Sequence, residues 1–166
     1  MLLAWMGMTV FAGNQELIKR LDTVLDSAAY LHQSKQIKME LLKKNVANAA
    51  DVNSQLYYLD DLYEEYHVYQ FDSAMVYVDK LIRLADEVGD GYYQTLGRIN
   101  KAELLAMGSL YPEALNVLGE IDVKELLAME RDMAFKYYFI HFKVYQYWAN
   151  YCDDQTYTPR YLSLSR

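Results

Sequence analysis

SLYPEAL, residues 109–115, follows Met107-Gly108 and separates two stretches of helical periodicity. Forty residues earlier stands YQFDSAM, residues 69–75, between two more such stretches. Each places an aromatic three positions before an alanine: Phe71 before Ala74, and Tyr111 before Ala114. Two unrelated loops would mean little. Two copies of one junction would make the chain a stack of helix pairs.

The flanking residues favour the second reading. Leu96, Ile99, Leu104 and Leu105 recur at helical spacing before Gly108, and Asp90 can cap that helix. Gly108 is expected to end it, and Pro112 sits in the first turn of the next, where proline costs no hydrogen bond. Around the earlier junction, Leu56, Leu59, Leu62, Tyr63 and Tyr66 form one stripe. Met75, Val78, Leu81, Ile82 and Ala85 form the next, with Asp72 as its expected cap and Gly89 as its end. Antiparallel helices joined by a short loop approach closely near that loop, so a small residue such as Ala74 or Ala114 lets the backbones meet. Each pair has an apolar face it cannot bury alone, so pairs stack.

Ala102, Gly108, Tyr111, Ala114, Leu118 and Ile121 match the tetratricopeptide repeat in spacing, and AELLAMGSLYPEALNVLGEI resembles its middle closely. The earlier unit departs from it. Leu62 stands at the small position of the first helix and Tyr69 replaces the usual glycine. The resemblance implies an all-α fold of antiparallel pairs in a short right-handed solenoid. The expected organisation is a segment 1–13, an N-terminal helix or helical pair over 14–50, and repeats over 51–166. The units fall at about 54–89 and 90–122, with an incomplete third at 123–166. Asp122, with Glu125 three residues on, opens it, and a long aromatic pattern runs from Lys124 or Met129 to Tyr151. The string FDSAMVYVDKLIRLADEVGD and the overall layout also resemble the N-terminal sensor-like region of membrane-associated transcriptional regulators of Bacteroidota. That resemblance implies an exported, periplasmic domain tethered through parts beyond this chain.

Residues 14–48 carry Leu17, Leu21, Val24 and Leu25, then Leu31, Ile37, Leu41 and Leu42. Asn14 is a candidate cap, and the region is one helix or two with a break near Ser27. Before it, MLLAWMGMTVFAG is uncharged and apolar. A helix of about 12 residues spans roughly 18 Å, short of a ~30 Å hydrocarbon core, so no membrane span is expected. Val10-Phe11-Ala12 reads as a cleavage site of a signal peptide whose basic start is missing, with a buried amphipathic N-terminal segment as the alternative. No cysteine lies nearby for a lipid anchor. At the other end Thr158-Pro159 starts a new helical pattern. The chain is therefore expected to be a fragment or truncated copy of a longer reading frame, with a terminal capping helix as the alternative.

Composition narrows the function. Apolar residues make up 53% of the 166 and prolines number only two, which suits long helices. Net charge is −7 and no basic face appears beyond Lys35, Lys38, Lys43 and Lys44, so nucleic acid is an unexpected partner. The single cysteine, Cys152, forbids an intrachain disulfide and is followed by Asp153 and Asp154, a poor setting for a reactive thiol. His32, His67 and His141 have no paired metal spacing, and Asp60-Asp61 with Glu64-Glu65 reads as a solvated helix face. With no phosphate loop or nucleophile elbow, no enzyme, cofactor or metal is expected.

What is left is the inner face of the first helix of each pair. Leu56, Leu59, Tyr63 and Tyr66 form one stripe; Leu96, Ile99, Glu103 and Ala106 the next; Tyr138, His141, Tyr145 and Trp148 the third. An aromatic concave groove suits an extended peptide. The alternative is that these stripes pack on the N-terminal helices or on each other. Ile99 and Glu103 stand where the resemblance would want basic or amide residues for a carboxylate clamp, so chaperone tails are improbable ligands. The expected function is a non-enzymatic protein- or peptide-binding module. Its alternative is an oligomerisation scaffold pairing N-terminal helices in a homodimer, and a small-molecule pocket lined by tyrosines is weaker.

Overall fold

The computed structural model describes residues 2–152 with Pro159 and Ser163, and side chains from Gln15 onward. The chain divides into two compact units, Met1–Leu41 and Leu42–Arg166. One helix, α1, runs Leu2–Ala47 without a break at Ser27, and it passes through Asn14, which is therefore no cap. Thr23 and Ser27 donate their hydroxyls to the carbonyls of Lys19 and Thr23 at 2.9 and 2.8 Å. Those bonds keep both short side chains compatible with a continuous helix.

Among the described residues the second unit holds six more helices: α2 Val52–Tyr66, α3 Phe71–Val88, α4 Gly91–Met107, α5 Tyr111–Gly119, α6 Val123–Ala128 and α7 Arg131–Tyr151. No strand occurs among the described residues. Caps explain several boundaries. Asp51 accepts from the Ser54 backbone N–H at 2.8 Å, and Asp90 from that of Tyr93 at 3.0 Å. Asp122 does the same for Lys124, but the helix it opens lasts only to Ala128. Met129 and Glu130 are extended, so the long aromatic pattern expected from Lys124 or Met129 is two helices. Asp72 is not a cap either. The helix starts one residue earlier at Phe71, with Gln70 flanking it, and leaves Asp72 in the first turn, where its charge suits the helix dipole.

The two junction glycines behave differently. Gly89 takes the left-handed conformation, φ +73°, and the N–H of Asp90 reaches back to the Ala85 carbonyl at 3.0 Å. Gly108 does not: its φ is −80°, and Ser109 is the left-handed residue at φ +63°. The N–H of Leu110 then bonds the Leu105 carbonyl at 2.8 Å, completing the turn one position later than the glycine suggests.

Helix pairs α2/α3 and α4/α5 lie side by side, α3 packs on α4, and α7 packs on α4 and α5. Ala74, Ala102 and Ala114 are fully buried, as close helix crossings require. One apolar cluster joins α2 to α3 through Leu56, Leu59, Leu81 and Ala85. A larger one joins α4, α5, α6 and α7 through Ile99, Ala102, Leu118, Leu126 and Ile140. Each such leucine or isoleucine contributes roughly 2 kcal/mol by leaving water. Gly97 sets the α3–α4 distance: a Cβ there would stand 2.7 Å from Ile82 Cγ1. Lys101 to Asp79 at 2.8 Å and Arg98 to Asp86 at 3.1 Å tie the same two helices at the rim. The second helix expected for the third pair, from Thr158-Pro159, falls in 153–166, of which only Pro159 and Ser163 are described.

Candidate functional site

The packing removes much of the expected groove. On α2, Tyr63 is 1% exposed and Tyr66 4%. The Tyr63 hydroxyl donates to the Asn100 carbonyl at 3.3 Å, and the Tyr66 ring stacks on Tyr77 at 5.4 Å. Ile99 is wholly buried. These three side chains are core, because their helix faces meet neighbouring helices rather than solvent, and they line no open surface. Glu103 is half-buried and accepts from the Lys143 ammonium of α7 at 2.9 Å.

Beside it runs a polar ladder across three helices. Asn100, fully buried on α4, donates its amide to Asp60 of α2 at 3.1 Å and accepts from Lys136 of α7 at 2.7 Å. Lys136 also lies 3.9 Å from Glu64. Burial pushes the Asp60 carboxyl up to about 6 against the opposing pull of Lys136. A fully buried amide with both ends satisfied ties the helices together without leaving an orphaned group.

The α7 residues divide. Trp148 stacks on Tyr111 at 5.8 Å and so supports the α5 junction. His141 sits edge-on to Tyr137 at 4.6 Å, its Nε2 buried without a hydrogen-bond partner, and burial lowers its pKa. Tyr145 is half-buried, and Tyr138 is 52% exposed. Beside Tyr138 lie three residues that periodicity left unassigned: Phe135, Phe139 and Phe142, all exposed. Phe135 stacks on Phe139 at 5.8 Å, Phe139 is 6.4 Å from Phe142, and the Lys143 ammonium sits 4.9 Å from the Phe139 centroid. Both this strip and the buried one through Met133, Tyr137, Ile140 and Val144 have helical spacing, so spacing alone cannot tell which faces in.

An open cleft of about 400 Å³ lies at the end of α4 and α7, lined by Ala106, Met107, Ser109, Tyr111, Tyr147 and Tyr151. Tyr147 and Tyr151 stand 6.0 Å apart. A second cleft, about 350 Å³, is walled by Leu59 and Leu84 and rimmed by Lys80, Arg83 and Glu87. The tyrosine cleft combines ring faces with hydroxyls, which suits a partially apolar chain segment that still needs hydrogen bonds. Its signal in the sequence was the tyrosine density near residue 147; its location depends on the turn at Ser109. Among the described residues no group of three His, Cys, Asp or Glu could hold a metal ion. Among them, too, no helix is long and apolar enough to cross a membrane.

A family model described as the SusR N-terminal TPR domain matches residues 25–166. No curated protein and no solved structure matches the chain.

Proposed function

The chain belongs to the family of SusR N-terminal TPR domains, and from that premise we propose that it is a non-enzymatic module binding a protein or peptide partner, the exported sensor portion of a membrane-linked regulator. TPR domains in general are interaction modules, using the extended surfaces of stacked helix pairs. The observation that carries the reading is the tyrosine cleft. Tyr111 is held in place by Trp148, and Tyr147 and Tyr151 complete the wall. The part of the wall that Trp148 holds in place loses less side-chain entropy on association. The uncharged segment 1–13 supports export, and the layout resembling Bacteroidota regulators supports the regulatory role.

Selection of displayed random peptides on the full chain tests the binding reading. A selected peptide should lose at least ~30-fold in affinity on Tyr147→Ala with Tyr151→Ala, the loss expected of hot-spot tyrosines. Equal affinity for the double variant, or no enriched peptide, sinks it. Export is tested separately by N-terminal sequencing after expression in a Bacteroidota host. A mature chain beginning after Ala12 is the expected result, and an intact Met1 in the cytoplasm overturns it.

A further inference from the structure

We propose that the apolar stripe of α1 between Leu17 and Leu31 is a self-association surface whose occupant is a second copy of this chain. Leu17, Ile18, Leu21, Val24, Leu25 and Leu31 are each 57–66% exposed, so a row of aliphatic side chains stands in water. Ile18, Leu21, Leu25 and Ala28 follow one another at intervals of three, four and three, the seam that lets two helices interlock side chain into hole. Leu17, Val24 and Leu31 widen the seam on one side. An isolated helical stretch is marginal in water, and its stability comes from packing an apolar face. This stretch has such a face and, among the described residues, keeps it exposed.

The opposite side of the helix is turned to solvent. Thr23 and Ser27 spend their hydroxyls on their own helix carbonyls, and Arg20 pairs with Glu16 at 3.3 Å. Its charges are mixed: Glu16, Asp22 and Asp26 against Lys19 and Arg20. Helices that lie on membrane surfaces carry a basic polar face, which this one lacks. Nearly balanced charge does allow two copies to approach.

Area decides how strong the pairing is. At roughly 100 Å² per fully buried aliphatic side chain, six at these exposures offer roughly 350 Å² per helix. Two copies remove roughly 700 Å² of apolar surface, or about 1,100–1,200 Å² in all at the usual apolar share. That lies at or just under the lower bound of specific, stable interfaces, about 1,200 Å². The pairing is therefore reversible and concentration-dependent.

Light scattering on the full chain from about 1 to 200 μM tests this. The apparent mass should rise from 19.4 kDa toward twice that value. Leu21→Glu with Leu25→Glu should hold it at the monomer at every concentration, with the melting midpoint that the wild type shows at about 1 μM, whereas Thr23→Glu on the polar side should leave the rise intact. If the double variant loses helical signal, the milder Leu21→Ala must still raise the half-association concentration several-fold. A wild-type chain monomeric throughout, or a Glu variant that still doubles its mass, overturns the proposal. So does a monomer that instead binds vesicles of phosphatidylcholine and phosphatidylglycerol, which would assign the stripe to a membrane surface.

Discussion

Phe71 lies against Gly108: a Cβ built on Gly108 would stand 3.3 Å from the edge of the Phe71 ring. The aromatic of the first helix junction covers the glycine of the second, so the two junctions touch. Gly108 is small because a ring approaches it, since its φ of −80° suits any residue. Phe71 is 38% exposed and can shift by a few tenths of an ångström. Gly108→Ala should therefore stay within about 0.5 kcal/mol of wild type in urea unfolding, the lost space offset by a less flexible unfolded chain. A loss above 2 kcal/mol would mean that the junction is rigid.

Gly97 offers the contrast. Its added methyl would meet Ile82 Cγ1 at 2.7 Å between two packed helices. Alanine gains up to ~1 kcal/mol in helix propensity, but overpacking costs about 1–3 kcal/mol. Gly97→Ala should lower stability by ~1–2 kcal/mol and shift the melting midpoint down. A midpoint at or above wild type would show that α3 and α4 can separate freely.

Ser109 is the strained residue of the SLYPEAL junction, at φ +63°. An L residue there costs roughly 1 kcal/mol that glycine avoids. Its hydroxyl accepts from Tyr111 only at 3.5 Å, too long to matter much. Ser109→Gly should raise stability by ~0.5–1 kcal/mol, measured as a higher urea midpoint with unchanged slope. A lower midpoint would place the turn elsewhere.

Ala114, fully buried where α5 meets α4, cannot accept a larger side chain without displacement. Ala114→Leu should cost about 1–3 kcal/mol. An unshifted melting midpoint would argue against the helix-pair junction itself.

The Asp60 carboxyl, raised to about 6 from 3.8, makes stability depend on pH. The native state holds this proton after the unfolded chain has lost it. Its contribution to stability is therefore full below about pH 4, falls as pH rises toward 6, and is flat above. The shift corresponds to at most ~3 kcal/mol, and about 1–2 kcal/mol after allowing for partial exposure. Asp60→Asn keeps an acceptor for Asn100 and should exceed wild type by that margin at pH 7, the two converging near pH 4. Parallel urea midpoints across pH 4–7 would refute a raised carboxyl.

The helices and their pairing were legible before any coordinate. Asp90, Gly89, Pro112 and the paired spacing of Phe71–Ala74 and Tyr111–Ala114 act within a turn or two of the chain, and local hydrogen bonds enforce them. The site was much less legible. Tyr63, Tyr66 and Ile99 look like groove residues from spacing alone, yet they are core, while Phe135, Phe139 and Phe142, which spacing left unassigned, are exposed. A period of 3.6 identifies a stripe and not its neighbour.

From sequence alone, then, came an all-α chain of stacked pairs, the caps Asp90 and Asp122, its small crossing residues and its family resemblance, all set by short-range chemistry. Only the tertiary structure decided that Ser109 and not Gly108 takes the left-handed turn, that Asn100 links Asp60 to Lys136 across three helices, and which face of α7 meets water. Those outcomes depend on the distances and angles between helices far apart in the chain, where packing rather than local preference selects among stripes of equal hydrophobicity.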